Sequence, residues 1–199
     1  GPLKVICEDT AMQAFPGNCT VIRPGIVAGP HDPSDRFTYW VRRAARGGKV
    51  LVPNRPDQPV QVVHARDQGD FVVKASVDKL HGQFNTVGPT ETLTLQGVLE
   101  ACAQAADVKD IELVWVDEDF LRAEKVFVPL YVPSKAGADG LFEASSERAR
   151  TAGFVNRPIV DTARDTLDWD RTRDQSAAIG GLSAEREAEV LGRWEGRSA

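Results

Sequence analysis

The side chains best suited to metal or covalent chemistry are scattered through this chain. His31, His64 and His81 form no H-E-x-x-H or comparable pair at helical spacing that would turn two imidazoles toward one ion. Cys7, Cys19 and Cys102 are odd in number and lack a C-x-x-C spacing, which argues against a disulfide framework and against a zinc knuckle. Reduced thiols in a reducing, cytoplasmic setting are expected, and no metal site. A phosphate cradle is missing too: no G-x-x-G-x-x-G or P-loop spacing occurs, and Gly47-Gly48 follows a helical pattern rather than a strand. What remains is the run from Arg23 to Asp32, R-P-G-I-V-A-G-P-H-D, which leaves a β-branched segment and opens into a Pro/Gly loop. Open α/β sheets bind ligands just past the carboxyl ends of their strands, so this loop is the first place to expect a ligand.

The elements needed to hold such a loop can be read from periodicity. Residues Leu3 to Phe15 place Leu3, Ile6, Cys7, Ala11 and Met12 along one helical stripe, with Pro16-Gly17-Asn18 as a stop. Cys19 to Ile22 reads as a buried strand, and Ile26-Val27 leads into the loop. Phe37, Trp40, Val41, Ala44 and Ala45 have the spacing of an amphipathic helix that Gly47-Gly48 ends. Val50 to Val52 and Val60 to Val63 are strand candidates on either side of a proline-rich stretch and are expected to form a small β-element beside the main sheet. Asp67 to Val77 reads as a helix with Asp67 as its cap, Phe84 to Val87 as a strand running into the turn Gly88-Pro89-Thr90, and Thr94 as the cap of a third helix. Glu112 to Val116 is a further strand, and Asp117-Glu118-Asp119 suits the positive end of a short helix. After an irregular Val128 to Gly140, short helices are expected over Ser146 to Ala152 and Val160 to Asp170. A polar connector, Arg171 to Gly181, then leads to a charged helix over Ser183 to Trp194.

Strand and helix alternate, which favours an α/β class, but with too few parallel strands for a self-sufficient doubly wound sheet. With 42% hydrophobic and 27% charged residues in 199, the chain has the composition of a globular protein with a core of its own. A net charge of −5 gives no broad footprint for nucleic acid, and no apolar run reaches the roughly 18 residues of a membrane span.

The segment Arg23 to Asp32 resembles the R-P-G-x-V-x-G-P-x-D signature of the extended short-chain dehydrogenases/reductases, the NAD-dependent epimerase/dehydratase family. Pro59 to Asp70 is similar to its strand running into a V-R-D-type helix start, and Phe84-Asn85-Thr86-Val87-Gly88-Pro89 to its F-N-x-x-G strand and turn. Leu93-Thr94, Trp115-Val116-Asp117 and Ala149 to Phe154 fit in the same order. The resemblance implies the carboxyl-terminal part of a Rossmann-like doubly wound parallel sheet plus a small α/β substrate-binding lobe. Residues 1–30 would end the core, residues 31–199 would form mainly the lobe with returning core strands, and the amino-terminal cofactor-binding half would be absent.

Site residues follow from the same resemblance. The family's catalytic pair is Tyr-x-x-x-Lys, one helical turn apart, in which the lysine stabilises the phenolate and binds the nicotinamide ribose. A tyrosine just before Gly1 would make Lys4 that lysine. Pro24, Gly25, Ile26 and Val27 would contact the nicotinamide of NAD or NADP. Arg36, Phe37, Trp40, His64 and Arg66 would face a small-molecule substrate, Arg36 as a bidentate partner for an anion, although Phe37 and Trp40 also fit the helix stripe as core residues. Tyr131 and Lys135 match the letters Tyr-x-x-x-Lys, but Pro133 between them forbids a regular helix, so they are not the pair. The expected activity is oxidoreductase or epimerase action on a carbinol or carbonyl carbon, with a nucleotide sugar as one substrate and the chain inactive by itself. A non-catalytic binding module that keeps the fold is the alternative, and self-association into a homo-oligomer through faces the missing half would cover is a third.

Overall fold

The computed structural model describes residues 1–89, 91–137, 140–177 and 179–197. It has six strands and eight α-helices among the described residues, all strand pairs being parallel. β1 (Thr20–Pro24) pairs with β5 (Gly82–Thr86), β2 (Ile26–Ala28) with β4 (Val62–His64), and β3 (Gly48–Pro53) with β6 (Ile111–Val116). The helices are α1 (Pro2–Ala14), α2 (Thr38–Ala45), α3 (Ala65–Val77), α4 (Leu95–Ala106), α5 (Glu118–Ala123), α6 (Glu147–Thr151), α7 (Ile159–Asp170) and α8 (Ala184–Glu195). The α/β class with parallel pairing is therefore as expected. Thr90 of the expected Gly88-Pro89-Thr90 turn, and residues 138, 139 and 178 of the expected irregular stretches, lie outside the described residues.

Two expectations about strands need correcting. Val50 to Val52 and Val60 to Val63 do not form one β-element: β3 pairs with β6, whereas Val62 to His64 joins β2. Both runs are buried over their apolar residues, and a run buried on both faces says nothing about its partner. Ile26-Val27, read as a lead into the loop, is itself a strand. It was hidden because only Gly25 separates it from β1.

That glycine is where the chain changes partners. Gly25 N donates to Thr86 O at 3.2 Å on the β5 side, and Ile26 N donates to Gln61 O at 3.0 Å on the β4 side. A Cβ at Gly25 would stand 3.0 Å from Gln61 O and 3.4 Å from the Cα of Val87. A larger residue would push apart three segments that converge here, and a crevice at such a switch is where α/β sheets take ligands.

Three apolar clusters support this arrangement. The main one joins α2, α4 and α7 through Phe37, Trp40, Val41, Leu95, Leu99 and Leu167. Cys102 lies within it, fully buried, and burial pushes its thiol well above the ordinary range, so it packs as a hydrophobe. A second cluster seats α8 on β3 and β6 through Leu51, Val116, Leu121 and Val190, and a third packs α3 and α6 around Phe71, Phe84 and Phe154. No residue of α1 is buried. It is held to β1 by Arg23, whose Nε donates to Glu8 Oε2 at 2.9 Å.

Candidate functional site

At Gly25 the carboxyl ends of β1 and β5 meet the amino ends of β2 and β4, and β2 and β4 end in turn at Ala28 and His64. Pro24 is exposed, while Gly25, Ile26 and Val27 are partly exposed, so their backbone and apolar side chains are open to a ligand. Lys4 is exposed and lies one turn before Glu8 on α1. Since Glu8 grips Arg23 at the end of β1, the fold brings Lys4 to the same end of the sheet as Pro24.

Gly29 follows β2 with φ at +124°, and a Cβ there would stand 3.1 Å from His64 Nε2. The loop thus packs on the imidazole. His64 is 2% exposed, and its Nδ1 accepts from Arg66 N at 3.0 Å, which makes it the N-cap of α3. That corrects the expectation that Asp67 caps this helix, and with its side chain 0% exposed His64 does not, contrary to expectation, face a substrate. Asp67 lies in the first turn and binds Arg157: Oδ2 accepts from Arg157 N at 2.9 Å and Oδ1 from Nε at 2.8 Å. Asp165 faces the same cluster, with Oδ2 at 3.3 Å from Arg66 Nη1, 3.2 Å from Arg157 Nη1 and 3.4 Å from His64 Nε2. His64 Nε2 makes no hydrogen bond among the described residues.

Burial, and next the nearby Arg157, lower the pKa of His64 from its usual value near 6.5. The folded state therefore prefers the neutral ring, and protonating Nδ1 would also displace the Arg66 N–H. The stabilisation is present above about pH 6.5 and is lost as pH falls through the lower folded-state pKa, because the unfolded chain takes up the proton first. The thermal midpoint is expected to fall as pH drops below about 6.5, and in His64→Gln that fall should be shallower. Midpoints measured from pH 5 to pH 8 check this; equal slopes in the two proteins would refute it.

The remaining expected substrate residues divide. Arg36 is exposed, and its Nε donates to Ser34 Oγ at 3.2 Å, leaving the outer face of the guanidinium to solvent. Arg66 is 67% exposed in its side chain and its side chain pairs with Asp165. Phe37 and Trp40, in contrast, are both 0% exposed, and Trp40 Nε1 donates to Pro129 O at 2.8 Å. They belong to the core and offer no surface to a ligand, which corrects the expectation of substrate contact; the helical stripe they complete turns inward.

Neither tyrosine is placed for acid–base work. Burial pushes Tyr39 up to about 12. Tyr131 is raised by burial and by its hydrogen bond to Glu118, whose Oε1 accepts from the phenol at 2.7 Å. Lys135 instead reaches Asp119 at 3.2 Å, so the Tyr131 and Lys135 letters carry no catalytic geometry.

Sequence reasoning did not find Arg157 and Asp165, which come to the cluster from 90 or more residues away, nor a cleft of about 470 Å³ beside the partner switch. The cleft is lined by Gln61, Glu91, Phe142, Ser145 and Arg150 among others. Gln61 connects it to the loop: its backbone oxygen accepts from Ile26, and its Nε2 donates to Ala144 O at 2.8 Å. No local sequence pattern marks a wall built from segments this far apart.

No protein-family model and no curated protein matches the chain. Solved structures do. The chain is 20% identical to the UDP-glucose 4-epimerase of Thermus thermophilus, solved with NAD, at a TM-score of 0.55, covering 83% of this chain and 50% of that one. It is 18% identical to RMD from Pseudomonas aeruginosa, solved with NADPH, at a TM-score of 0.57 over 85% of this chain and 55% of that one. With the UDP-N-acetylglucosamine 4-epimerase of Bacillus cereus the figures are 16% identity, a TM-score of 0.56, 87% of this chain and 54% of that one. The chain spans about half the length of these structures, and over that half it shares their α/β fold.

Proposed function

We propose that this chain is the carboxyl-terminal part of an NAD(P)-dependent oxidoreductase or epimerase acting on a carbinol or carbonyl carbon of a small-molecule substrate. The observation that carries this reading is the change of strand partners at Gly25, where β1 and β5 end and β2 and β4 begin, with Pro24 to Val27 at least partly exposed and Lys4 on the β1 carboxyl-end side. A nicotinamide bound there would supply or accept the hydride. Of this chain's residues, Lys4 would hold the ribose hydroxyls and keep a neighbouring phenol ionisable, while Pro24 to Val27 would present backbone groups and an apolar surface to the ring. Arg36 and Arg66 would hold an anionic part of the substrate, with His64 seating the loop from beneath. A cleft of about 470 Å³ falls in the size range of small-molecule sites. The likeness to epimerases of UDP-sugars supports a nucleotide sugar as that substrate, and the three cysteines without a disulfide spacing support a reducing, cytoplasmic setting.

These residues fit the nicotinamide end of the cofactor only, since the sequence holds no glycine-rich cradle for the pyrophosphate. Titration of the 199-residue chain with NADH and NADPH, followed by cofactor fluorescence, is expected to show no saturable binding while circular dichroism shows a folded protein. Tight binding would overturn the reading of an incomplete site. In a protein that also contains a cofactor-binding half, Lys4→Met is expected to lower kcat by about 100-fold or more. Unchanged kcat there would refute the role of Lys4.

A further inference from the structure

The loop from Gly29 to Arg36 runs from β2 to α2 in a conformation its residues do not favour. His31 has φ at 68° and Asp35 at 51°, both left-handed and neither glycine. Such residues stay there only when their surroundings over-determine them. Here the surroundings come from the far end of α7 and the turn after it.

Arg173 donates from Nη1 and Nη2 to the two oxygens of Asp35 at 2.6 and 3.1 Å. The same guanidinium lies 4.7 Å over the Trp169 ring, and that ring lies 5.3 Å from the ring of His31. Both left-handed residues are therefore gripped from residues 169 and 173. Beneath them Asp170, 1% exposed, accepts from Arg42 of α2 at 2.8 and 2.6 Å and from Arg173 Nη1 at 3.5 Å. This fixes α7 to the helix that the loop enters. Within the loop, Asp32 Oδ1 accepts from Ser34 N at 2.8 Å, and Ser34 Oγ in turn holds Arg36. A change in backbone at Asp35 would thus be passed directly to Arg36.

We propose that Trp169 and Arg173 are positioning residues that hold His31 and Asp35 left-handed and so set the course of the Gly29 to Arg36 loop and the direction in which Arg36 leaves it. The grip is internal to this chain and does not depend on which ligand the loop meets. Two-pronged arginine–carboxylate pairing fixes orientation as well as distance, which a lone charge contact would not.

Amide hydrogen exchange in the 199-residue chain tests it, with Asp35→Asn, Arg173→Met and the double variant compared against Arg164→Met. Arg164 is an exposed residue of α7 paired, among the described residues, only with Asp161, three positions earlier. Asparagine tolerates the left-handed backbone, so Asp35→Asn removes the charge pair without changing the local preference. The amides of Asp32 and Tyr39, which bond to Gly29 O and Asp35 O, are expected to exchange about 10-fold faster or more in either single variant. The double variant should be no faster than either, and β3 and α4 should be unchanged. Trp169 emission, taken as the difference from a Trp169→Phe chain, should shift to the red in Asp35→Asn, where the guanidinium still covers the ring. Unchanged loop exchange, acceleration spread evenly over β3 and α4, or additive effects in the double variant would overturn the proposal. If Arg173→Met does not fold, Asp35→Asn and its emission shift decide it alone.

Discussion

Glu187→Ala is expected to lower the unfolding free energy by about 3–5 kcal/mol, because it strands a buried guanidinium. Arg43 and Glu187 are both almost wholly buried, with side-chain exposures of 6% and 5%. Glu187 accepts from Arg43 Nε at 2.8 and 2.6 Å and from Leu51 N at 3.0 Å, and Arg43 Nη1 donates to Gly47 O at 2.9 Å, with Nη2 donating to Lys49 O. One carboxylate thereby fixes α8 to α2 and to β3, and its loss leaves the Arg43 charge without a counter-ion and the Leu51 amide without its acceptor at an almost wholly buried place. Glu187→Gln keeps an acceptor for the amide and should cost less than alanine. Lys49→Ala, which breaks the solvent-exposed pair with Glu195, should leave the urea midpoint where it is. Urea unfolding followed by circular dichroism checks the series. A Glu187→Ala midpoint equal to that of Lys49→Ala would show that the buried pair does not hold α8 in place.

That pair also shows what a sequence conceals. Periodicity located α2, α4 and α8 because each carries an apolar stripe, Thr94 was legible as a cap because capping needs only a side-chain acceptor at the helix start, and Asp117-Glu118-Asp119 marked the start of α5 because acidic side chains favour its positive end. The loop from Gly29 to Pro33 was legible as well, since Pro and Gly punctuate the chain locally. Strand partners were not. The short apolar runs of β2, β3 and β4 look alike, and which of them lie side by side is decided by crossovers of tens of residues. The same limit hid the cluster beneath the loop: His64 and Asp67 are in one motif, but Arg157 and Asp165, which complete their surroundings, come from α7 and the turn before it. The cap of α3 was misassigned because an imidazole Nδ1 can accept from the Arg66 amide as well as a carboxylate can, and the residue-type preference points to Asp67.

Trp40 tests the most consequential of these distinctions, since the pattern around it served two readings. As a residue that touches substrate, it could be replaced with little change in stability and a large change in ligand affinity. As the centre of the α2, α4 and α7 core, it should behave in the opposite way. Trp40 is 0% exposed, packs edge-on against Tyr39 at 4.9 Å and donates to Pro129 O at 2.8 Å, so it also anchors the irregular segment that follows α5. Trp40→Ala removes a whole indole from a close-packed interior and is expected to destabilise by about 3–5 kcal/mol. Trp40→Phe keeps most of the apolar volume but leaves the Pro129 carbonyl without its donor and should cost about 1–3 kcal/mol. Urea unfolding followed by circular dichroism, which does not depend on the lost fluorophore, separates the two variants. A Trp40→Ala chain as stable as the parent would mean that the ring is not enclosed in solution, and substrate contact by α2 would again be open. The expected loss instead confines ligand contact on this side of the molecule to the loop before α2, where Arg36 is exposed and the backbone is held from α7.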